Sequence, residues 1–134
     1  MEIVLFIGRI LFGGYFVMNG LNHFVKFGMM RGYAASKQVP AAGLAVVVTG
    51  LLLIFGGAGM LSGGYIDWAV PSLVIFLVPV SFKMHNFWSI TDPQMKMVEM
   101  VNFLKNMALL GATLMMLAIP KPWPFGFALN YLQI

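Results

Sequence analysis

Arg9, Glu99 and Lys105 are the residues of this sequence with the strongest claim to chemistry, because each lies within a run of residues apolar enough for lipid. An ionisable side chain at bilayer depth costs about 2.5 kcal/mol or more, so it needs a partner or a task. Glu99 is followed by Asn102, Lys105, Asn106 and Thr113. At about 100° per residue these five fall within about a third of a helix circumference. A one-sided polar stripe on an apolar helix belongs inside a bundle, since lipid offers it no hydrogen bonds. Glu99 and Lys105 lack the i, i+4 spacing of a helical ion pair, so each is expected to find its partner on another helix.

The first apolar run repeats the pattern. Arg9, Asn19 and His23 share a face, with Phe12, Phe16 and Gly20 between them. Arg9 and His23 stand roughly 21 Å apart along a helix axis, too far to hold one small ligand together. His23 and His85 fall at the ends of the first and third runs, on the side from which Glu99 enters the fourth. One arrangement that follows is a pocket lined by His23, His85, Trp88, Glu99, Lys105 and Asn106, with Arg9 deeper. Imidazole titrates near neutral pH, so such a pocket suits proton-coupled chemistry. In the other arrangement Glu99 pairs with a cation of a neighbouring helix and fixes packing, while both histidines sit among lipid headgroups.

The elements that must position these groups are helices. The chain has 134 residues, of which 60% are hydrophobic and 9% charged, and its mean hydropathy is +0.90. Soluble domains carry about 25% charged residues, so the natural solvent of this chain is a bilayer. Four apolar runs, roughly residues 3–21, 41–61, 66–82 and 98–119, approach the ~20 residues of a spanning helix. The expectation is an all-α, four-helix transmembrane bundle comprising one domain. Thr91, Asp92 and Pro93 open the fourth helix, with Gln94 completing a Thr-x-x-Gln capping box. Gly59 and Gly63 form a GxxxG spacing that lets helix backbones approach. Trp68, Trp88 and Trp123 fall at span ends, where interfacial anchoring accounts for them. The PKPWP segment at 120–124 reads as a short extended tail.

The basic excess, eight Lys and Arg against four Asp and Glu, is concentrated at span ends rather than in a patch for nucleic acid. Lys26, Arg31 and Lys37 occupy the first connection and Lys83 and Lys96 the third, which predicts both on the cytoplasmic side and both termini outside. No cleavable signal peptide is expected, since no basic segment precedes the first run and no A-x-A site follows it. The chain contains no cysteine, which excludes disulfide exchange, thiolate metal sites and a cysteine nucleophile. It has no phosphate loop and no HExxH metal motif.

Three stretches together resemble the DoxX family of small bacterial and archaeal membrane proteins: GRILFGGYFVMNGLNHF at 8–24, HNFW at 85–88 and FLKNMALLGATLM at 103–115. The resemblance implies a four-helix bundle in a prokaryotic cytoplasmic membrane. It points to Arg9, His85, Phe87, Trp88, Lys105 and Asn106 as positions matching family motifs. Family relatives include subunits of quinol-oxidising and thiosulfate:quinone systems, so the resemblance also implies a quinone-handling or accessory subunit of a membrane redox complex. Asn86 stands where the family usually has a basic residue.

The functional expectation is therefore an integral membrane protein that works with quinone, or with a protein partner or further copies of itself, and that is not catalytic alone. The competing expectations are a non-catalytic assembly subunit, a haem or Cu(I) site using His23, His85 or Met95, Met97 and Met100, and a small-molecule carrier. Twelve methionines spread along the chain serve equally as adaptable apolar filler, so no metal ligand is assigned.

Overall fold

A computed structural model describes residues 1–127. It contains five α-helices: α1 (Glu2–Val25), α2 (Phe27–Ser36), α3 (Ala42–Ser62), α4 (Ile66–Met84) and α5 (Pro93–Met115). Four of them, α1, α3, α4 and α5, belong to segments long and apolar enough to cross a membrane. The protein is an all-helical membrane bundle. The helices overlap the four apolar runs with shifted ends: α1 continues four residues past its run, and α5 begins five residues early, at Pro93 inside the polar segment, and ends four residues short, at Met115.

The start of α5 differs in detail from the sequence expectation. Asp92, not Thr91, is the N-cap, and its carboxylate accepts from the Met95 amide at 3.3 Å. Pro93 follows at the first helical position, where its missing N–H costs nothing. The Thr-x-x-Gln box is thus displaced by the stronger acceptor one residue later.

The seam between α1 and α3 is the most extensive helix contact. It rests on glycine. A Cβ on Gly13 would lie 2.8 Å from the Gly57 carbonyl oxygen, and one on Gly20 would lie 2.8 Å from that of Gly50. Only bare backbone fits at these crossings, as expected where helices associate in lipid by close packing. The opposite side of α3 presents Gly56 and Gly59 to Leu73 and Ala69 of α4, so α3 is packed tightly on two faces. The GxxxG spacing itself is divided between tasks. Gly59 packs against α4, whereas Gly63 ends α3 at φ +67°, a left-handed cap that favours glycine.

Two regions depart from the sequence reading. The first connection holds a helix, α2, whose Phe27, Met30 and Ala34 are its more covered residues. The tail is folded back onto the bundle: the Phe127 amide donates to the Ser62 carbonyl at 2.7 Å. Trp123, expected as an interfacial anchor, is 2% exposed and belongs to the apolar core with Phe16, Leu53 and Leu73. Trp68 and Trp88 are exposed, as anchors are.

Candidate functional site

Consecutive spans alternate in direction, so the buried charges sort to two ends. Arg9 lies near the start of α1, beside the end of α3. Its Nε donates to the Met60 carbonyl at 3.2 Å and its Nη2 to the Leu61 carbonyl at 2.7 Å. Nη1 donates to the Pro124 carbonyl at 2.5 Å, and Nη2 also reaches that of Phe125 at 3.4 Å. The guanidinium is further flanked by the rings of Phe6 and Trp123. The planar fork of arginine is spent on backbone carbonyls, which no ammonium matches in geometry. Arg9 does not meet Glu99, and it borders neither of the cavities described next.

At the other end, α2 packs chiefly against α3, and its Tyr33 side chain reaches the end of α4 and Glu99 of α5. Glu99 is buried on α5. Its Oε1 accepts from the Tyr33 hydroxyl at 2.5 Å, and its Oε2 lies 2.6 Å from His85 Nδ1. Both partners lie off α5, as expected for Glu99. An ionised carboxylate only accepts, so Nδ1 carries the imidazole hydrogen and Nε2 is left as the acceptor. The Tyr33 hydroxyl also lies 3.4 Å from the Met84 carbonyl. Burial pushes the Tyr33 phenol well above its ordinary range, and the bond to Glu99 and the carboxylate charge push it further. Lys37 donates to Asn86 Oδ1 at 3.2 Å and lies over the Tyr33 ring.

His85 borders two cavities. The larger, about 350 Å³, is almost wholly apolar and is lined by Met30, Val46, Phe76 and Pro79, with His23, Tyr33 and His85 among its few polar groups. His23 holds its Nδ1 2.8 Å from the Asn19 carbonyl. A carbonyl only accepts, so His23 too is left with Nε2 as its free acceptor. The smaller cavity, about 100 Å³, is bordered by Asn19, Phe76, His85, Lys105 and Asn106. The sequence-derived pocket is thus distributed. His23 and His85 line the larger space. Lys105 and Asn106 lie on the far side of His85. Trp88 lines neither and packs in an exposed aromatic cluster with Phe82, Phe87 and Phe103.

The polar stripe of α5 is real but narrower than its wheel suggested. Glu99, Asn106 and Thr113, two turns apart in succession, are its buried members. Lys105 sits at the exposed edge, and its one hydrogen bond among the described residues goes to Asn102 of its own helix, at 3.4 Å. Tyr33 was missed because the first connection carries three basic residues and reads as wet. The available signal was the i, i+3, i+7 spacing of Phe27, Met30 and Ala34.

Fold and site together define a small helical membrane protein with a hydrogen-bonded Tyr–Glu–His network beside an apolar cavity. A family model for DoxX matches residues 4–86. The chain belongs to the DoxX family. The matched region includes Arg9, His23, Tyr33 and His85 and stops before Trp88, Glu99, Lys105 and Asn106. No curated protein and no solved structure matches the chain.

Proposed function

We propose that this protein binds the ring of a membrane quinol in the larger cavity and acts as the quinol-binding subunit of a membrane oxidoreductase. The observation that carries the reading is the pairing of His85 with buried Glu99 at the wall of an apolar space. A volume of about 350 Å³ lies in the range of roughly 300–1,000 Å³ typical of small-molecule sites. Apolar walls suit the quinol ring, and the free Nε2 atoms of His23 and His85 suit its two hydroxyl donors.

In this mechanism the quinol gives up two electrons and two protons. One proton passes to Nε2 of His85 while the Nδ1 proton moves to Glu99. The second passes to His23. The electrons leave to a redox centre of a partner chain, since the side chains at the site carry no electron themselves. Tyr33, whose phenol stays protonated, holds Glu99 in place by donating to it. The exposed apolar face of α5, with Val101, Leu104 and Leu114, is available to that partner.

Topology belongs to the same proposal. Lys26, Arg31, Lys37, Lys83 and Lys96 cluster at the His85 end, against Lys121 at the other; this bias supports the His85 end as the cytoplasmic one, in a prokaryotic inner membrane. The cysteine-free chain allows a clean check. An S36C variant should resist an impermeant thiol reagent added to intact cells, and a K121C variant should react.

Native mass spectrometry of protein released from its own membranes in mild detergent tests the ligand. The expected result is a bound quinone mass in the wild type that disappears in V46F, which fills the cavity. A bare wild-type chain from quinone-replete membranes overturns the reading.

A further inference from the structure

The smaller cavity is a different kind of space from the larger one, and its chemistry is unspent. Asn106 is 5% exposed, borders this cavity, and makes no side-chain hydrogen bond among the described residues. No fully buried side-chain nitrogen or oxygen among the described residues lacks a partner, so the unpaired Asn106 amide has accessible surface, where a bound species can reach it. Lys105 borders the same space, and its ammonium retains donors beyond the one given to Asn102. No Asp or Glu lines the cavity, and Lys105 has no ion pair among the described residues. The nearest carboxylate in this network, Glu99, is already held by Tyr33 and His85. Lys105 is exposed at the edge of the bundle, but a cation within a span still calls for a counter-charge, and none pairs with it among the described residues.

We infer that the cavity between α1, α4 and α5 is a binding site for a small monovalent anion, held by the Lys105 ammonium and the Asn106 amide. Size limits the ligand. About 100 Å³ exceeds the roughly 10–15 Å³ one water needs, and falls well short of a ring system. A halide and a short carboxylate share the required chemistry: one negative charge, compact, and able to accept from both donors. Tyr15 and Asn19 of α1 line the same space. The site stands apart from the quinol reading, because its donors come from the opposite side of His85 and its occupant needs no redox chemistry.

The test is thermal unfolding of the full chain in detergent, with sodium gluconate replaced stepwise by sodium chloride or sodium formate at constant ionic strength. Gluconate is too large for the cavity. The wild type should gain a saturable rise in Tm with chloride, with formate or with both, and the pattern identifies the source. K105Q should lose the saturable rise, and K105R should keep it. N106D, which builds a carboxylate into the cavity, should unfold at the same temperature whatever the anion. A wild type with no saturable response overturns the inference and leaves the cavity to water. An equal response in K105Q overturns it too. If K105Q does not fold, N106D decides, since a response undiminished there excludes the site.

Discussion

The two ends of the bundle each bury a charge, and they treat it in opposite ways. Arg9 is saturated: its donors end on four backbone carbonyls from two segments, and aromatic rings close over it. Glu99 is held by two side chains, one of which, His85, is only half committed and borders two cavities. Carbonyls do not titrate, so the Arg9 end has one state. Imidazole and carboxylate exchange protons, so the Glu99 end has several. Burial of charge by itself does not mark a working site. What singles out the Glu99 end as the candidate is a partner that can also change state, beside a cavity.

The contrast can be broken most forcefully at Arg9. R9L removes a charged donor set and orphans the carbonyls it served, and hydrogen bonds to charged groups contribute about 1.5–3 kcal/mol each. It should destabilise the bundle by about 3 kcal/mol or more in detergent unfolding and release Trp123 to solvent, seen as a red shift of its fluorescence, with no requirement for ligand. G63A comes next. Its Cβ would fall 2.6 Å from Arg9 Cζ at a backbone φ of +67°. A loss of about 1–3 kcal/mol is expected from the strained backbone, read in the same assay.

At the other end the expected damage shifts from folding to binding. E99Q keeps the shape of the side chain but not its charge, and should lower quinol affinity about tenfold, or about 1.4 kcal/mol, in titrations into nanodisc-embedded protein. Its unfolding temperature should move far less than that of R9L. If E99Q proves as destabilising as R9L while binding is unchanged, the two ends are alike and both are structural.

The smallest effect belongs to Tyr33. Y33F deletes one hydrogen bond, about 1 kcal/mol. Because the folded phenol is raised above its ordinary value of 10.0, its contribution is complete below pH 10 and is lost as pH rises beyond it, where the unfolded chain ionises first. Wild-type stability should therefore fall with alkaline pH more steeply than that of Y33F, measured by chemical unfolding across the range.

Much of this was legible in the residues. Hydropathy alone marks the spans, because lipid forces backbone satisfaction into helices, and Glu99 stands out since nothing apolar explains it. The Glu99–His85 contact was also within reach, with both residues at the same end. The fate of Arg9 was not. Its partners are carbonyls, which every residue has, so no side-chain type announces them. Trp123 was misplaced for a related reason, since its burial depends on a tail held largely through backbone carbonyls, by Arg9 and by the Phe127 amide on Ser62, together with the Lys121–Asp67 ion pair. Tyr33 was hidden by composition: the basic residues around it mask a helical face. The division into two cavities by His85 depends on side-chain directions that spacing along a helix does not give.

The bonds from Arg9 to the tail reach across 115 residues of chain, and this has a consequence for biosynthesis. Arg9 enters the membrane with α1. Residues 124 and 125 leave the ribosome more than a hundred residues later. At about 5–20 residues per second, the guanidinium waits roughly 6–23 s before all its acceptors exist. During that interval the nascent bundle carries an unsated cation, which must be shielded by lipid phosphates, water or the insertion machinery. The arrival of the tail is then the step that closes the molecule.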